Sequence, residues 1–301
     1  MGLLSKLLGA VSGNNGLVVS EQLLFDKVIG FKGVTNGVGT STVVQNVAYA
    51  ISQNTNYSVC VLDTNFLAPS LYPMMVDASE PKNPKDYLEF TGDLQELVVN
   101  TKYRNVYLLH LQNRGILDMM SNKDNELTIE KVIGALKSYY DIVLIDLSQE
   151  LTNTSTISAI KCNKIYLVCD LALKTTYNLR KTLNTMSILA IPTTKVTKVI
   201  LNKTIPDVST NLHTLFKESG LTEMCNIPMS QDIATLGISG QHIWTQQGTS
   251  KDIISFSNSI NAVMKDIIQV TPLNAKYVSK PEVEKAKAVY DEEQKKKKEK
   301  E

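Results

Sequence analysis

"GVTNGVGTSTVVQNVAYAI", Gly33–Ile51, decides the fold of this chain. Gly33, Gly37 and Gly39 let backbone N–H groups come close to a phosphate, since no Cβ stands in the way. The second half of the stretch has helical spacing: Val43, Val44, Val47, Ala48 and Ile51 fall on one apolar stripe. A helix starting near Thr40 would aim the positive end of its dipole at the same phosphate. On the N-terminal side, "KVIGFKGV" (27–34) is a β-rich run. Strand, glycine-rich turn and amphipathic helix is the start of an open α/β sheet whose ligand sits beyond the strand ends.

Outward from this unit the pattern repeats. Further β-rich runs are "YSVCVLD" (57–63), "NVYLLHL" (105–111), "DIVLIDL" (141–147), "KIYLVCD" (164–170) and "TKVILNK" (197–203). Most are continuous Val/Ile/Leu runs, as in parallel strands covered on both faces. Helical stretches lie between them at 40–53, 126–140, 172–189 and 209–219. The alternation predicts a doubly wound, mostly parallel sheet with helices on both faces, filling one domain over residues 27–271. The polar, two-proline stretch 77–90 reads as a surface loop.

The ends differ from this core. In "MGLLSKLLGAVSG" (1–13), Leu3, Leu4, Leu7, Leu8 and Val11 have helical spacing, so residues 1–26 are an amphipathic helix and linker. Such a stripe either lies on a membrane surface or docks on the domain or a partner. The charged stretch 272–301 ends in a lysine run and is expected to be a solvated helix or disordered.

Composition excludes several functions. With 31 Lys+Arg against 30 Asp+Glu, no global field points to nucleic acid. The 4 cysteines, Cys60, Cys162, Cys169 and Cys225, form no CxxC pair and read as small buried hydrophobes in a reducing cytoplasm. His110, His213 and His242 are scattered, and none reads as catalytic. No apolar run approaches the roughly 20 residues that span a bilayer. Membrane contact, if any, is peripheral, at the inner face through residues 1–13.

Candidate metal ligands stand beside the loop. Asp63 and Asp146 end two β-runs, in "VLDTNFLAPSLYPMM" (61–75) and "YDIVLIDLS" (140–148), and Ser41 opens the helix. Carboxylates and a hydroxyl so placed suit Mg²⁺, held directly or through water.

These segments, in this order, resemble the MinD/ParA group of P-loop ATPases over roughly residues 27–270. "TNGVGTST" (35–42) lies in register with the group's KGGVGKTT, and "VVQNVAYAI" (43–51) with the helix after it. "VLDTNFLAPSL" (61–71) resembles the second-strand motif, and residues 140–170 resemble the Walker B stretch. "VILNK" (199–203) resembles the strand whose asparagine, here Asn202, meets the adenine. "IPMSQDIATLGISGQHIW" (227–244) resembles the late loop over the base, where Trp244 would lie. The resemblance implies ATP or ADP with Mg²⁺ held by Gly37, Val38, Gly39, Thr40, Ser41, Thr42 and Asn202, with Ser41, Asp63 and Asp146 at the metal. It also implies a homodimer and a protein partner.

Three departures set the functional expectation. Thr35 stands where the group has the lysine that crosses the dimer, and Thr40 where it has the lysine on the β/γ-phosphates. Asn65 replaces the aspartate that orients water. Phosphoryl transfer depends on positioning and charge stabilisation, each electrostatic element contributing about 10²–10³ in rate. A degenerate Walker A of this kind implies a nucleotide-binding pseudo-ATPase, one with very slow ATPase activity, or one that binds no nucleotide at all. Lysine-poor loops occur in CpaE/TadZ-like relatives, which position or assemble pilus and secretion machines. Residues 1–26 are too few for the receiver-like domain usual there, so none is expected. The alternatives are an active ATPase switch, with Lys32 as a substitute cation, or a DNA-partitioning protein. Lys32 itself is expected to snorkel at the edge of its strand.

Overall fold

The computed structural model describes residues 28–65, 70–76, 98–110, 124–205, 211–238 and 250–269. The N-terminal stripe, the loop 77–90, His242, Trp244 and the tail 272–301 lie outside these. The six predicted strands are all present: β1 (Val28–Gly33), β2 (Val59–Asp63), β4 (Val106–His110), β5 (Ile142–Leu147), β6 (Lys164–Cys169) and β7 (Lys198–Thr204). Two more, β3 (Val99–Asn100) and β8 (Thr222–Pro228), stand at the edges. The sheet order is β3-β4-β2-β5-β1-β6-β7-β8, parallel except for the β3–β4 pair.

The helices are α1 (Thr40–Asn54), α2 (Leu71–Met75), α3 (Asp124–Tyr139), α4 (Asn153–Lys161), α5 (Leu173–Ile188), α6 (Leu212–Glu218), α7 (Gln231–Ile238) and α8 (Lys251–Gln269). They cover both faces of the sheet. On one face Ile29 and Phe31 pack with the α1 stripe, Val43, Val44, Val47, Ala48 and Ile51, and with Phe256, Ile260, Val263 and Ile267 of α8. On the other, Val28, Cys60 and Leu62 pack with Ile133 and Leu136 of α3, Ala159 of α4 and Leu179 of α5. Successive strand residues feed opposite cores, so the central strands must be apolar throughout. Cys60, Cys162 and Cys169 are buried and free, and burial pushes the Cys162 and Cys225 thiols up to about 12.

The unpredicted elements are α2, α4, α7, α8, β3 and β8, and two of them show why. α4, "NTSTISAIK", is built from residues of low helix propensity. It is nonetheless capped: the Thr152 side chain accepts a hydrogen bond from Ser155 N. β8, "TEMCNIP", is an edge strand of mixed polarity with no clean period. β1 lies between β5 and β6, where the connections leave in opposite directions. This topological switch point opens a crevice at the strand ends.

Candidate functional site

At that crevice β1 runs out into Val34–Gly39. Gly37 and Gly39 take φ of 79° and 90°, the left-handed region that only glycine enters freely. Gly39 is needed for a second reason: a Cβ there would lie 2.4 Å from Asn202 Nδ2. That amide donates to Val38 O at 2.7 Å, tying the end of β7 to the loop. α1 starts at Thr40 with no side-chain cap, leaving its first-turn N–H groups aimed at the cavity. The cavity has a volume of about 920 Å³ and is lined by the loop, Asn65, Asp146, Asn202 and Pro228–Gln231, among others.

Asp63 and Asp146 are cross-strand partners on β2 and β5, and both are buried. Asp63 accepts from Asn65 N at 2.8 Å and Leu71 N at 3.4 Å. Asp146 accepts from Ser41 Oγ at 2.6 Å, and Ser41 accepts from Ser70 Oγ at 2.7 Å. Burial raises the pKa of both carboxyls, and the Asp63 charge raises Asp146 further. Two adjacent carboxylates with a hydroxyl suit a hard divalent cation, which would relieve their repulsion. Thr64, fully buried, fastens this corner: its Oγ1 donates to Asp146 O at 2.8 Å and accepts from Ser148 N at 2.9 Å.

The candidate residues thus converge, and Thr35 and Thr40 line the cavity with them, Thr40 half-buried. Thr35 is only 6% exposed, with its hydroxyl 3.3 Å from that of Thr175 on α5. Thr40 Oγ1 lies 2.6 Å from the point a Cβ on Gly33 would occupy, so it packs back on β1. Asn65 also lines the cavity.

Lys32 departs from expectation. It does not snorkel at an edge but is 2% exposed, donating to Ser148 O at 2.5 Å and Gln149 O at 2.7 Å. Burial pulls its pKa down to about 8, against the attraction of Asp146 and Glu150. It belongs to a second cleft, beside Lys174 and Lys181, and not to the glycine-loop cavity.

Ser70, Gln149 and Lys203 were missed by sequence reasoning. Gln149 Nε2 donates to Val34 O at 3.0 Å, and Lys203 Nζ to Gly37 O at 2.5 Å. Only Lys203 gave a signal, standing beside Asn202 at a strand end. Of the stretch 227–244, Met229 and Ser230 join β8 to α7 (Gln231–Ile238), and the residues after Ile238 lie outside the described ones. No cluster of three or more His, Cys, Asp or Glu occurs among the described residues, and none of their helices is long and apolar enough to cross a membrane.

No family model matches the chain, nor does any curated protein sequence. Solved structures do. The septum site-determining protein MinD of Pyrococcus horikoshii, complexed with Mg-ADP, matches with TM-score 0.64 and 18% identity, over 83% of this chain and 99% of that one. MinD in the MinC:MinD complex of Aquifex aeolicus matches with 0.64 and 16%, over 84% and 99%. An ATP complex of a McdA variant from Cyanothece matches with 0.64 and 15%, over 80% and 97%. Identities this low carry the architecture alone, and that architecture is the MinD/ParA P-loop fold.

Proposed function

We propose that this chain is a nucleotide-binding pseudo-ATPase of MinD/ParA type. It acts as a homodimeric positioning or assembly factor for a protein partner, in a cell-envelope, pilus or secretion machine. One observation carries the reading: the glycine cradle and its carboxylates are in place, while Thr35 and Thr40 offer the cavity only short neutral hydroxyls. Such a loop can hold phosphates through backbone donors, but its own side chains offer no cation for the charge that develops during transfer. Ser41, Asp63 and Asp146 would hold Mg²⁺, which would neutralise charge on the phosphates. The Mg-ADP and ATP complexes of the similar structures support a nucleotide here, and the MinC:MinD complex supports a protein partner.

The test is twofold. Chromatography of denatured, freshly purified protein should reveal bound adenine nucleotide, and phosphate release from Mg-ATP should stay at background. Rapid release abolished by Asp146→Ala would overturn the pseudo-ATPase reading; absence of nucleotide together with failure to bind added ADP would overturn the nucleotide reading.

A further inference from the structure

The glycine-loop cavity contains a cation, and it does not come from the loop. Among the described residues lining it, Lys203 is the one basic side chain and Asp146 the one acidic. Lys203 is the sixth residue of β7, next to Asn202, and its Nζ donates to Gly37 O at 2.5 Å. Its side chain is exposed and has a flexible four-carbon stem, so the ammonium can leave that carbonyl for a better acceptor.

The backbone is built to deliver it. Lys203 adopts φ 56°, a left-handed conformation unfavourable for a lysine. The β7–β8 register slips between Leu201 and Thr204, placing Lys203 in the irregular stretch. Asn202 holds the distortion, its Oδ1 accepting from Lys203 N at 2.9 Å while its Nδ2 donates to Val38 O. Strain of this kind persists where surrounding structure enforces it, and it concentrates at ligand sites. One side chain therefore grips the loop and turns the next residue over it.

We infer that Lys203 supplies the cation that meets the phosphate chain of a nucleoside di- or triphosphate, in place of the one absent at Thr40. The inference rests on the proposed nucleotide binding. Lys32 cannot serve, since its ammonium is buried against Ser148 O and Gln149 O. A charge entering from β7 strengthens binding without sitting where the Walker lysine sits, which fits a site that retains nucleotide rather than splitting it.

The experiment measures Mg-ADP and adenosine affinity of the full chain by calorimetry, with Lys203→Met and Lys203→Gly. Lys203→Gly relieves the left-handed strain while removing the charge, so it should melt no lower than wild type. Loss of a charge-assisted hydrogen bond should weaken Mg-ADP about 10- to 100-fold in both variants. Adenosine affinity should stay unchanged, Lys203→Arg should retain most Mg-ADP affinity, and Thr40→Lys should rescue Lys203→Met. Unchanged Mg-ADP affinity in Lys203→Gly would overturn the inference while leaving nucleotide binding standing. So would equal loss of ADP and adenosine, which would assign Lys203 to the base or to loop shape. A wild-type chain that binds neither ligand would sink the nucleotide reading and this inference with it.

Discussion

Asp63 and Asp146 sit opposite each other on neighbouring strands, where burial alone already disfavours two negative charges. An acid whose folded pKa exceeds its unfolded value loses stability as pH rises between the two. Below the unfolded value, about 3.9, both states are protonated and the penalty vanishes. Asp146→Asn should therefore raise stability at pH 7 by about 2 kcal/mol or more, the gain shrinking toward pH 4. The same variant should lose Mg²⁺-dependent nucleotide affinity, a trade of function for stability. Urea melts at pH 4, 5.5 and 7 check the first part; a gain independent of pH would refute it. Gly39→Ala tests the cradle: with φ at 90° and Asn202 Nδ2 in the way, it should cost about 1–3 kcal/mol and loosen the β7 tie. These positions were legible in sequence because glycines and strand-end carboxylates carry their chemistry in their type. Lys32 was not, because nothing in sequence reveals that two carbonyls would meet a buried ammonium.

At the scale of elements, legibility followed periodicity only in part, since the strongly amphipathic α8 (Lys251–Gln269) was not read from the sequence. The α1 stripe and the continuous apolar strands were plain, whereas α4 was hidden by its serines and threonines. Ser155 and Ser158 are fully buried on α4, and their hydroxyls find no partner among the described residues. Each Ser→Ala change removes an unsatisfied group and improves helix propensity, so each should stabilise by about 1 kcal/mol. A thermal melt showing loss would mean the hydroxyls are satisfied. α8 is held differently. Its Asp266 accepts from Lys164 Nζ at 2.6 Å, and also from Lys198 Nζ and Tyr166 Oη, joining the helix to the ends of β6 and β7. Burial would raise this carboxyl, but those donors outweigh it and the pKa is lowered. A depressed acid contributes stability above its unfolded pKa and loses it as pH falls through the folded value. Asp266→Ala should thus cost about 3 kcal/mol at pH 7 and progressively less below about pH 4. Equal losses at pH 3 and pH 7 would refute the ion-pair account.

Over the whole molecule, the mostly parallel sheet can be traced to the alternation of runs, but the strand order and the meeting of distant residues cannot. Residues 33–42, 63, 146 and 202 converge only because β1 is flanked by β5 and β6. That convergence also makes chemistry hard to restore one residue at a time. If the proposed function holds, Thr40→Lys should tighten ATP binding yet leave turnover near background, since Asn65 supplies no carboxylate to a water and Thr35 no cation across a dimer seam. Thr35→Lys must first break the contact with Thr175, because a long cation does not fit a site 6% exposed and has to swing outward. Groups that act on one transition state are strongly non-additive. Thr35→Lys, Thr40→Lys and Asn65→Asp together should therefore raise phosphate release by about 10² or more over any single change. Addition of Asp146→Ala to the triple variant should abolish that gain, which excludes a contaminating ATPase. Full turnover from Thr40→Lys alone would show that neither Thr35 nor Asn65 limits phosphate release.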